Sequence, residues 1–280
     1  AFNRDGYHLE VTYGRYTDAC TWFEMITGQN VVGNPYAPET IDPQVVKIAQ
    51  NAAHYAVQKP DEVTDMVNFK EPEVSGTDLK APVYIDFGPT SLSATPWNNI
   101  TSHQESSTSS WIKDAENNYT NIGVRVLGGF TDNHKGVGTE PASPVTVDDV
   151  EFPLTAWKDG LLVGGEKNKG DVGPGRIEIS QLDASRKYNF TILAIRFNGS
   201  KDARVSSYKL VGKTESEVKE VKTGIKDVAA FNAANFEEYI AKFENIEPDS
   251  EGKVIVEVKG IDTGLAAEGH INALCISPVK

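Results

Sequence analysis

Cysteine is scarce in this chain: its 280 residues include only Cys20 and Cys275. Neither belongs to a Cys-x-x-Cys pair or lies near clustered histidines, so the sequence predicts no metal site built on sulfur. Both cysteines have apolar neighbours along the chain, which is typical of buried free thiols. A disulfide that joins the two ends of the chain is the alternative. The five histidines are scattered, and no two of them have the spacing of metal ligands.

Positive charge is also in short supply. Lys and Arg number 27 against 40 Asp and Glu, which gives a formal net charge of -13 and a pI near 4.9. Repulsion from phosphate groups argues against nucleic acids and anionic membrane surfaces as partners. Neutral ligands such as sugars are not repelled, so they remain compatible with the composition.

Long apolar runs are absent from the sequence. No stretch approaches the roughly 20 apolar residues that a membrane-spanning helix needs, and the mean hydropathy is -0.37. The chain begins Ala1-Phe2, without Met and without the pattern of a secretory signal peptide. We therefore expect no membrane span and a processed or truncated product.

Two helices are predicted near the start of the chain. Between Val11 and Thr27, apolar residues recur at spacings of three and four, which predicts an amphipathic helix that Gly28 ends. A second helix is predicted to begin with Asp42 as its N-cap and Pro43 in its first turn. The apolar stripe predicted for the first helix comprises Tyr13, Tyr16, Ala19, Cys20, Phe23 and Ile26.

The rest of the chain predicts a β domain. Residues 59–81 are polar, charged and proline-containing, and we interpret them as a linker. From residue 82 onward, short β-branched and aromatic runs are separated by turn signals, which predicts an antiparallel β-sandwich or jelly roll over 82–280. This fold class is compatible with a structural Ca²⁺ ion, although the sequence places no ligand for it and predicts no cofactor. The clearest runs are 82–88, 122–126, 177–179, 188–194, 205–211, 254–258 and 271–276.

A short motif near the N-terminus has the residues of an acid–base pair. Asp5 and His8 stand three residues apart, just ahead of the first predicted helix. A neutral imidazole can accept a proton from a hydroxyl nucleophile, and a carboxylate can orient the ring. Nothing upstream of this motif in the chain can supply the nucleophile, so the motif predicts the end of a catalytic domain. A capped loop before a helix is the alternative interpretation.

The surroundings of this motif carry a resemblance to a known family. Residues 5–9 (Asp-Gly-Tyr-His-Leu), followed by 14–16 (Gly-Arg-Tyr) and 22–28 (Trp-Phe-Glu-Met-Ile-Thr-Gly), resemble the C-terminal block of secreted bacterial SGNH (GDSL-type) hydrolases. This resemblance implies that residues 1–58 are the helical end of a flavodoxin-like α/β hydrolase domain. The fold class expected for the whole chain is thus mainly β with a helical N-terminal segment.

The same resemblance implies roles for the motif and shows what the chain lacks. His8 would be the general base and Asp5 its orienting partner. In that family, a Gly-Asp-Ser block supplies the serine nucleophile, and separate Gly and Asn blocks build the oxyanion hole. This chain contains none of these blocks. A fragment, a second chain carrying the missing part and a vestigial site would each account for this, and a fragment is the simplest of the three.

Seven segments of the β region occur in a recognisable order: 85–88, 96–101, 152–153, 156–159, 188–191, Arg204 with Tyr208, and 271–274. Together they are similar to a β-sandwich module that is appended to glycan-degrading hydrolases of gut-type bacteria and looks like galactose-binding-like carbohydrate modules. The resemblance implies a glycan or acylated-glycan ligand. It also implies a secreted, periplasmic or cell-surface location.

Three tryptophans of the β region could stack on sugar rings: Trp97, Trp111 and Trp157. Core packing is the alternative for each, because aromatic side chains dominate protein cores. We expect Trp97 to be the best ligand-binding candidate, since Pro96 and the asparagines at 98–99 indicate a loop, where binding residues collect.

Two arginines, Arg196 and Arg204, fall in predicted strands. They could bind a carboxylate or sugar hydroxyls. In a strand, however, a buried arginine is normally paired, so we predict that both pair with buried acids.

Taken together, the sequence predicts part of a secreted SGNH-type esterase that acts on acylated glycans through a Ser-His-Asp mechanism. The part that bears the serine is absent from this chain, which alone is expected to be inactive. A non-catalytic carbohydrate-binding or structural β-sandwich module is the alternative. The expected partners are the glycan and the missing N-terminal part of the hydrolase.

Overall fold

The chain divides into two units, Ala1–Glu73 and Val74–Lys280. The division falls inside the predicted linker, much of which lies outside the described residues, so its character as a linker stays a prediction. None of the helices in the described part of the chain has the length and apolarity that crossing a membrane requires. The computed structural model describes residues 8–38, 41, 43–63, 66, 79–105, 107–109, 111–134, 144–165, 170–197, 204–225, 237–263 and 267–279.

The first unit contains two helices, α1 (Tyr13–Thr27) and α2 (Pro43–Gln58). Gly28 ends α1 in the left-handed conformation, with φ of 67°, as predicted. Glu10 caps the opposite end, where its carboxylate accepts three backbone N–H groups of the first turn. The predicted N-cap of α2, Asp42, lies outside the described residues.

The core of this unit lies between one face of each helix and the loop that joins them. Tyr16 and Cys20 supply the buried face of α1. Ala19 and Ile26 were assigned to the apolar stripe from their spacing, but both are exposed. They lie roughly 90–110° around the helix axis from the centre of the buried face. Cys20 is a buried free thiol, as is Cys275 in the second unit, which confirms that prediction.

The second unit is mainly β, as the sequence predicts, and every strand-like run named above coincides with or overlaps an observed strand. Among the described residues, one short α-helix, α3 (Thr155–Lys158), interrupts the strands. The strands are β1 (Val83–Phe87), β2 (Trp97–Ile100), β3 (Thr108–Ser109), β4 (Gly123–Gly128), β5 (Asp132–His134), β6 (Val145–Val147), β7 (Val150–Phe152), β8 (Gly160–Gly164), β9 (Val172–Ser180), β10 (Tyr188–Leu193), β11 (Arg196–Phe197), β12 (Val205–Val211), β13 (Lys219–Lys222), β14 (Gly224–Ile225), β15 (Ile240–Ile246), β16 (Val254–Ile261), β17 (Glu268–Ile271) and β18 (Ala273–Pro278).

Two sheets form a β-sandwich. Sheet A has the strand order β15-β10-β18-β1-β2, and sheet B has the order β13-β12-β16-β9-β4-β3. All neighbours in the two sheets pair antiparallel except β1 and β2, which pair in parallel. Smaller groups, β17-β8-β5, β6-β7 and β11-β14, complete the unit. The facing sides of sheets A and B share one apolar core, to which Ile85 and Leu274 contribute from sheet A and Ile177 and Val256 from sheet B.

The outer side of sheet A is also covered. A second apolar cluster there joins β2, β10 and β18 to the β6-β7 pair and α3. Sheet A is therefore buried on both faces over part of its area. The residues of this second apolar cluster are Trp97, Val147, Val150, Phe152, Ala156, Trp157, Leu193, Ile195, Tyr239, Ile240, Ala273 and Cys275.

Candidate functional site

The predicted catalytic pair is only partly within the described residues. His8 is exposed and precedes the first turn of α1. Asp5 lies outside the described residues, so the geometry of the pair stays a prediction.

A different acid–imidazole pair links α1 to α2. Oε1 of Glu24 lies 2.7 Å from Nδ1 of His54, and Oε2 accepts the N–H of Val31 at 3.0 Å. Burial raises the pKa of the Glu24 carboxyl, but the hydrogen bonds from Val31 and His54 outweigh it, so the pKa is lowered. The sequence gives no signal for this pair, because its members stand 30 residues apart. It ties the two helices together.

Trp97 is not the exposed loop platform that the sequence predicts. It lies in β2, is 9% exposed and stacks on Tyr84 with 5.2 Å between ring centroids. The parallel register of β1 and β2 sets Trp97 opposite Tyr84, and the β6-β7 pair and α3 then cover both rings. Trp157 is likewise buried, and its indole N–H donates to the carbonyl of Phe152 at 3.2 Å. Both tryptophans are core residues, the alternative that the sequence left open.

The third tryptophan belongs to a short hairpin between β3 and β4. Backbone bonds join Thr120 to Ile112, and an isolated bridge joins Lys113 to Tyr119. Burial alternates along the hairpin, because Ile112 and Thr120 are buried whereas Trp111 and Lys113 are half-buried and Tyr119 is 43% exposed. Since side chains alternate between the faces of a strand, Lys113 and Tyr119 share the outer face, and Trp111, whose φ is 60°, stands two residues before Lys113 on the same hairpin. We call these three residues the aromatic face.

A charged group lies over one ring of the aromatic face. Nζ of Lys113 is 4.8 Å from the ring centroid of Tyr119, within the range of a cation–π contact. The face thus combines two aromatic side chains with an ammonium donor. Asn118 is exposed and Asn121 is half-buried on the same hairpin.

The turn of the hairpin is held by one buried carboxylate. Asp114 is 5% exposed, and its Oδ1 accepts the N–H groups of Glu116 at 3.0 Å and Asn118 at 2.9 Å. Asn117 adopts a positive φ of 68°, which asparagine tolerates better than most residues. The carboxylate of Asp114 therefore fixes the geometry of the turn at the tip of the hairpin.

Asn98 clamps the hairpin to sheet A. Its Oδ1 accepts the N–H of Lys113 at 2.8 Å, and its Nδ2 donates to the carbonyl of Lys113 at 2.8 Å and to that of Tyr84 at 2.9 Å. Residues 96–99, which the sequence predicts to be a binding loop, thus hold the hairpin of the aromatic face in place through Asn98. Sequence alone could not show this, because the clamp joins residues 15 positions apart.

Arg196 and Arg204 both form ion pairs with one buried acid, Glu268, as predicted. Oε2 of Glu268 lies 3.0 Å from Arg196 and 2.6 Å from Arg204. Arg204, Glu268 and His270 are at most 2% exposed. Burial, together with the nearby arginines, holds the pKa of His270 well below its usual range, so the imidazole is neutral. This buried ionic cluster offers no face to a ligand and is a structural element.

An open cleft of about 510 Å³ lies at the edge of the sandwich between β13 and β15. Lys219, Lys242, Glu217 and Glu244 line it, and Phe243 beneath them is 2% exposed with Lys219 over its ring. The cleft offers hydrogen bonds but no open aromatic face. The aromatic face of the hairpin is therefore the better candidate site for a sugar ring.

The first unit is similar to a known family. Residues 1–56 match the family described as a domain of unknown function (DUF4886). The comparison with curated proteins gives no match.

Solved structures resemble parts of the chain. A DUF4886 family protein from Bacteroides uniformis is 59% identical over 25% of this chain and 27% of that chain, with a TM-score of 0.24, so this chain spans about a quarter of that relative's length. TmCBM61, solved in complex with β-1,4-galactotriose, is 12% identical over 44% of this chain and 72% of that chain, with a TM-score of 0.27. The ANX2 ectodomain from Arabidopsis thaliana is 9% identical over 55% of this chain and 42% of that chain, with a TM-score of 0.35.

Proposed function

We propose that the β-sandwich unit binds a neutral glycan through the aromatic face of Trp111, Lys113 and Tyr119. The observation that carries the proposal is the distribution of tryptophans in this unit. Trp97 and Trp157 are buried, whereas Trp111 is half-buried and Tyr119, on the same hairpin, is 43% exposed. A half-buried indole and an exposed phenol ring offer apolar surface that a ligand can cover.

The chemistry of the aromatic face suits a sugar. A pyranose ring presents C–H groups on its faces and hydroxyls at its rim, and an aromatic ring supplies apolar contact to such a face. Lys113 can donate to sugar hydroxyls, and the amides of Asn118 and Asn121 can both donate and accept. Binding sites of this kind combine aromatic surface with a few placed polar groups. The net charge of -13 favours uncharged over anionic glycans.

Replacing Trp111 by alanine is expected to abolish this binding. Affinity gel electrophoresis of the full chain in neutral polysaccharides, β-1,4-galactan among them, measures it as a loss of retardation. Trp22→Ala is the matched control, because Trp22 is 56% exposed but belongs to the first unit. We expect the control to be retarded like the unchanged chain. Equal retardation of Trp111→Ala and Trp22→Ala would contradict the proposed site.

We further propose that the first unit is the C-terminal end of an SGNH-type esterase domain that acts on acylated glycans and is secreted. His8 would be the general base, Asp5 would orient its ring, and a serine outside this chain would attack the ester carbonyl. Exposure of His8 supports this, because the imidazole can be reached by a group from elsewhere.

A second face of α1 supports the same proposal. Trp22, Met25 and Ile26 are 56%, 63% and 75% exposed. Trp22 and Met25 lie about 150° around the helix axis from the buried face that contains Tyr16 and Cys20, and Ile26 lies about 110° from it. A helix that is apolar on opposite sides is normally packed on both of them, as the last helix of a larger catalytic domain would be.

The esterase proposal is tested by extending the chain. The extended protein, with the coding sequence that precedes Ala1 in its gene, is expected to hydrolyse p-nitrophenyl acetate and to lose about 10⁴-fold in rate on His8→Ala. The chain alone should hydrolyse the ester no faster than its own His8→Ala variant. An extended protein that lacks turnover, or whose turnover does not depend on His8, would overturn the proposal.

A further inference from the structure

The loop that joins α1 to α2 is held in place by a buried amide. Gln50 of α2 is 3% exposed. Its Oε1 accepts the N–H of Gly33 at 2.9 Å, and its Nε2 donates to the carbonyl of Asn34 at 2.8 Å. The side chain of Asn34 in turn accepts the N–H of Tyr36 at 3.0 Å through Oδ1. These bonds fix the backbone of the loop up to Tyr36.

Tyr16 brings the loop back to the end where α1 begins. Its hydroxyl donates to the carbonyl of Tyr36 at 2.9 Å and accepts Nε2 of Gln50 at 2.9 Å. Tyr16 stands three residues after the start of α1, and helical side chains tilt toward the helix N-terminus, so this hydroxyl lies at the N-terminal end. Burial raises the pKa of the Tyr16 hydroxyl, and the hydroxyl of Tyr36 adds to that rise. The two phenols are therefore neighbours.

His8 lies at the same end of α1. The carboxylate of Glu10 accepts the N–H groups of residues 12–14, and its carbonyl accepts the N–H of Arg15 at 3.0 Å. Glu10 is thus fastened to the first turn of the helix. His8 precedes Glu10 by two residues, and two residues of chain span at most about 7 Å. The exposed residue His8 and the returning loop with Tyr36 therefore share one end of the first unit.

Tyr36 exposes its side chain from a fixed backbone. The residue is 73% exposed, although its N–H is bonded to Asn34 and its carbonyl to Tyr16. Pro35 precedes it and Pro38 follows two residues later, and each proline restricts the backbone further. A ring on a fixed backbone loses little conformational freedom when a ligand covers it. Tyr36 therefore has the exposure and the fixed position of a ligand-contacting residue.

We infer that Tyr36 contacts the sugar of an acylated glycan whose ester group lies at His8. The inference rests on the proposed esterase function and adds to it a residue that recognises the carbohydrate part of the substrate. The ester carbonyl has to lie at the nucleophile and the base, so the sugar is the part of the substrate that extends over the neighbouring surface. The Tyr36 ring offers apolar surface to the C–H face of a pyranose, and its hydroxyl can donate to or accept from sugar hydroxyls.

Tyr36→Ala is expected to separate sugar esters from a small ester. The protein is the chain extended by the coding sequence that precedes Ala1, and the sugar substrates are partially acetylated galactobiose, xylobiose and mannobiose. The KM for the disaccharide that is hydrolysed fastest should rise about 10-fold while kcat changes less than about twofold, because a contact made equally in the ground and transition states alters KM alone. The kcat/KM for vinyl acetate, which carries no sugar, should change less than about twofold. Initial rates of acetate release measure all of these constants.

Two further variants locate the effect in the ring of Tyr36. Tyr36→Phe keeps the ring, and its KM for the disaccharide should stay within about threefold of the unchanged value. Tyr55→Ala is the matched control, because Tyr55 is 44% exposed and its neighbour His54 pairs with Glu24, near the other end of α1. This control should behave like the unchanged protein. The Tm of Tyr36→Ala should shift by less than about 2 °C, since the loop is held through the backbone of residue 36.

The outcomes distinguish this inference from the proposed function. Equal KM values of Tyr36→Ala and Tyr55→Ala for the disaccharide would overturn the inference, and so would an extended protein that hydrolyses vinyl acetate but none of the three sugar esters. A loss of kcat/KM by the same factor on vinyl acetate and on the disaccharide would also overturn it, because Tyr36 would then act on the reaction and not on the sugar. An extended protein without turnover of p-nitrophenyl acetate or any other ester would instead contradict the esterase proposal itself.

Discussion

Replacing Glu268 by alanine is expected to lower the free energy of unfolding of the β-sandwich by about 3–5 kcal/mol. Glu268 is 2% exposed and is shared by Arg196 and Arg204. Removing the carboxylate leaves two guanidinium groups that repel each other, and Arg204 is itself 1% exposed. Urea unfolding followed by circular dichroism measures the loss.

A surface glutamate provides the control for this prediction. Glu251 is 70% exposed and pairs with Lys253 at 2.7 Å, and Glu251→Ala should change the free energy by less than about 1 kcal/mol. Glu268→Gln keeps a hydrogen-bond acceptor but not the charge. Its loss of unfolding free energy should therefore lie between the losses of Glu268→Ala and Glu251→Ala. A Glu268→Ala chain as stable as the Glu251→Ala chain would show that the ionic cluster does not hold this end of the sandwich together.

Trp97→Ala is expected to cost about 3–5 kcal/mol of unfolding free energy. The indole fills the space between sheet A and the covering β6-β7 pair and α3, and its loss leaves a cavity that strands fixed by backbone hydrogen bonds cannot close. Trp111→Ala, the same change at a half-buried position, should lose less than half as much. Thermal and urea unfolding of the two variants measure the difference.

The comparison of these two variants also tests whether Trp97 is a core residue or a surface platform. If Trp97 were a surface platform, its removal would leave stability nearly unchanged and would remove ligand binding. We expect instead that Trp97→Ala is the less stable of the two variants and that Trp111→Ala is the one that loses ligand binding. Equal stability of the two variants would contradict the burial of Trp97.

The strands of the sandwich could be predicted because their pattern is local. In β10 and β16, apolar side chains alternate with others along the chain, and this period of two is visible without knowledge of the partner strands. The end of α1 was equally local, since Gly28 ends the helix by its own backbone conformation. The stripe of α1 was less accurate, because spacing alone does not fix which side of a helix faces its partner.

The candidate site depends on contacts that sequence spacing does not show. Trp97 follows a proline and precedes two asparagines, which is a loop-like composition, yet a parallel pairing with β1 and a cover from later in the chain bury it. Asn98 gives no sequence signal of its role, because its partner Lys113 comes from the hairpin.

Glycan binding by the aromatic face is tested most directly by calorimetric titration. The ligand is an oligosaccharide derived from a polysaccharide that retards the chain in affinity gels, and the proteins are the unchanged chain, Trp111→Ala and Trp22→Ala. We predict one site per chain, unchanged affinity in Trp22→Ala and an affinity at least about 30-fold weaker in Trp111→Ala. Affinity of the Trp111→Ala chain equal to that of the Trp22→Ala chain, or no glycan that binds the unchanged chain, would contradict the account.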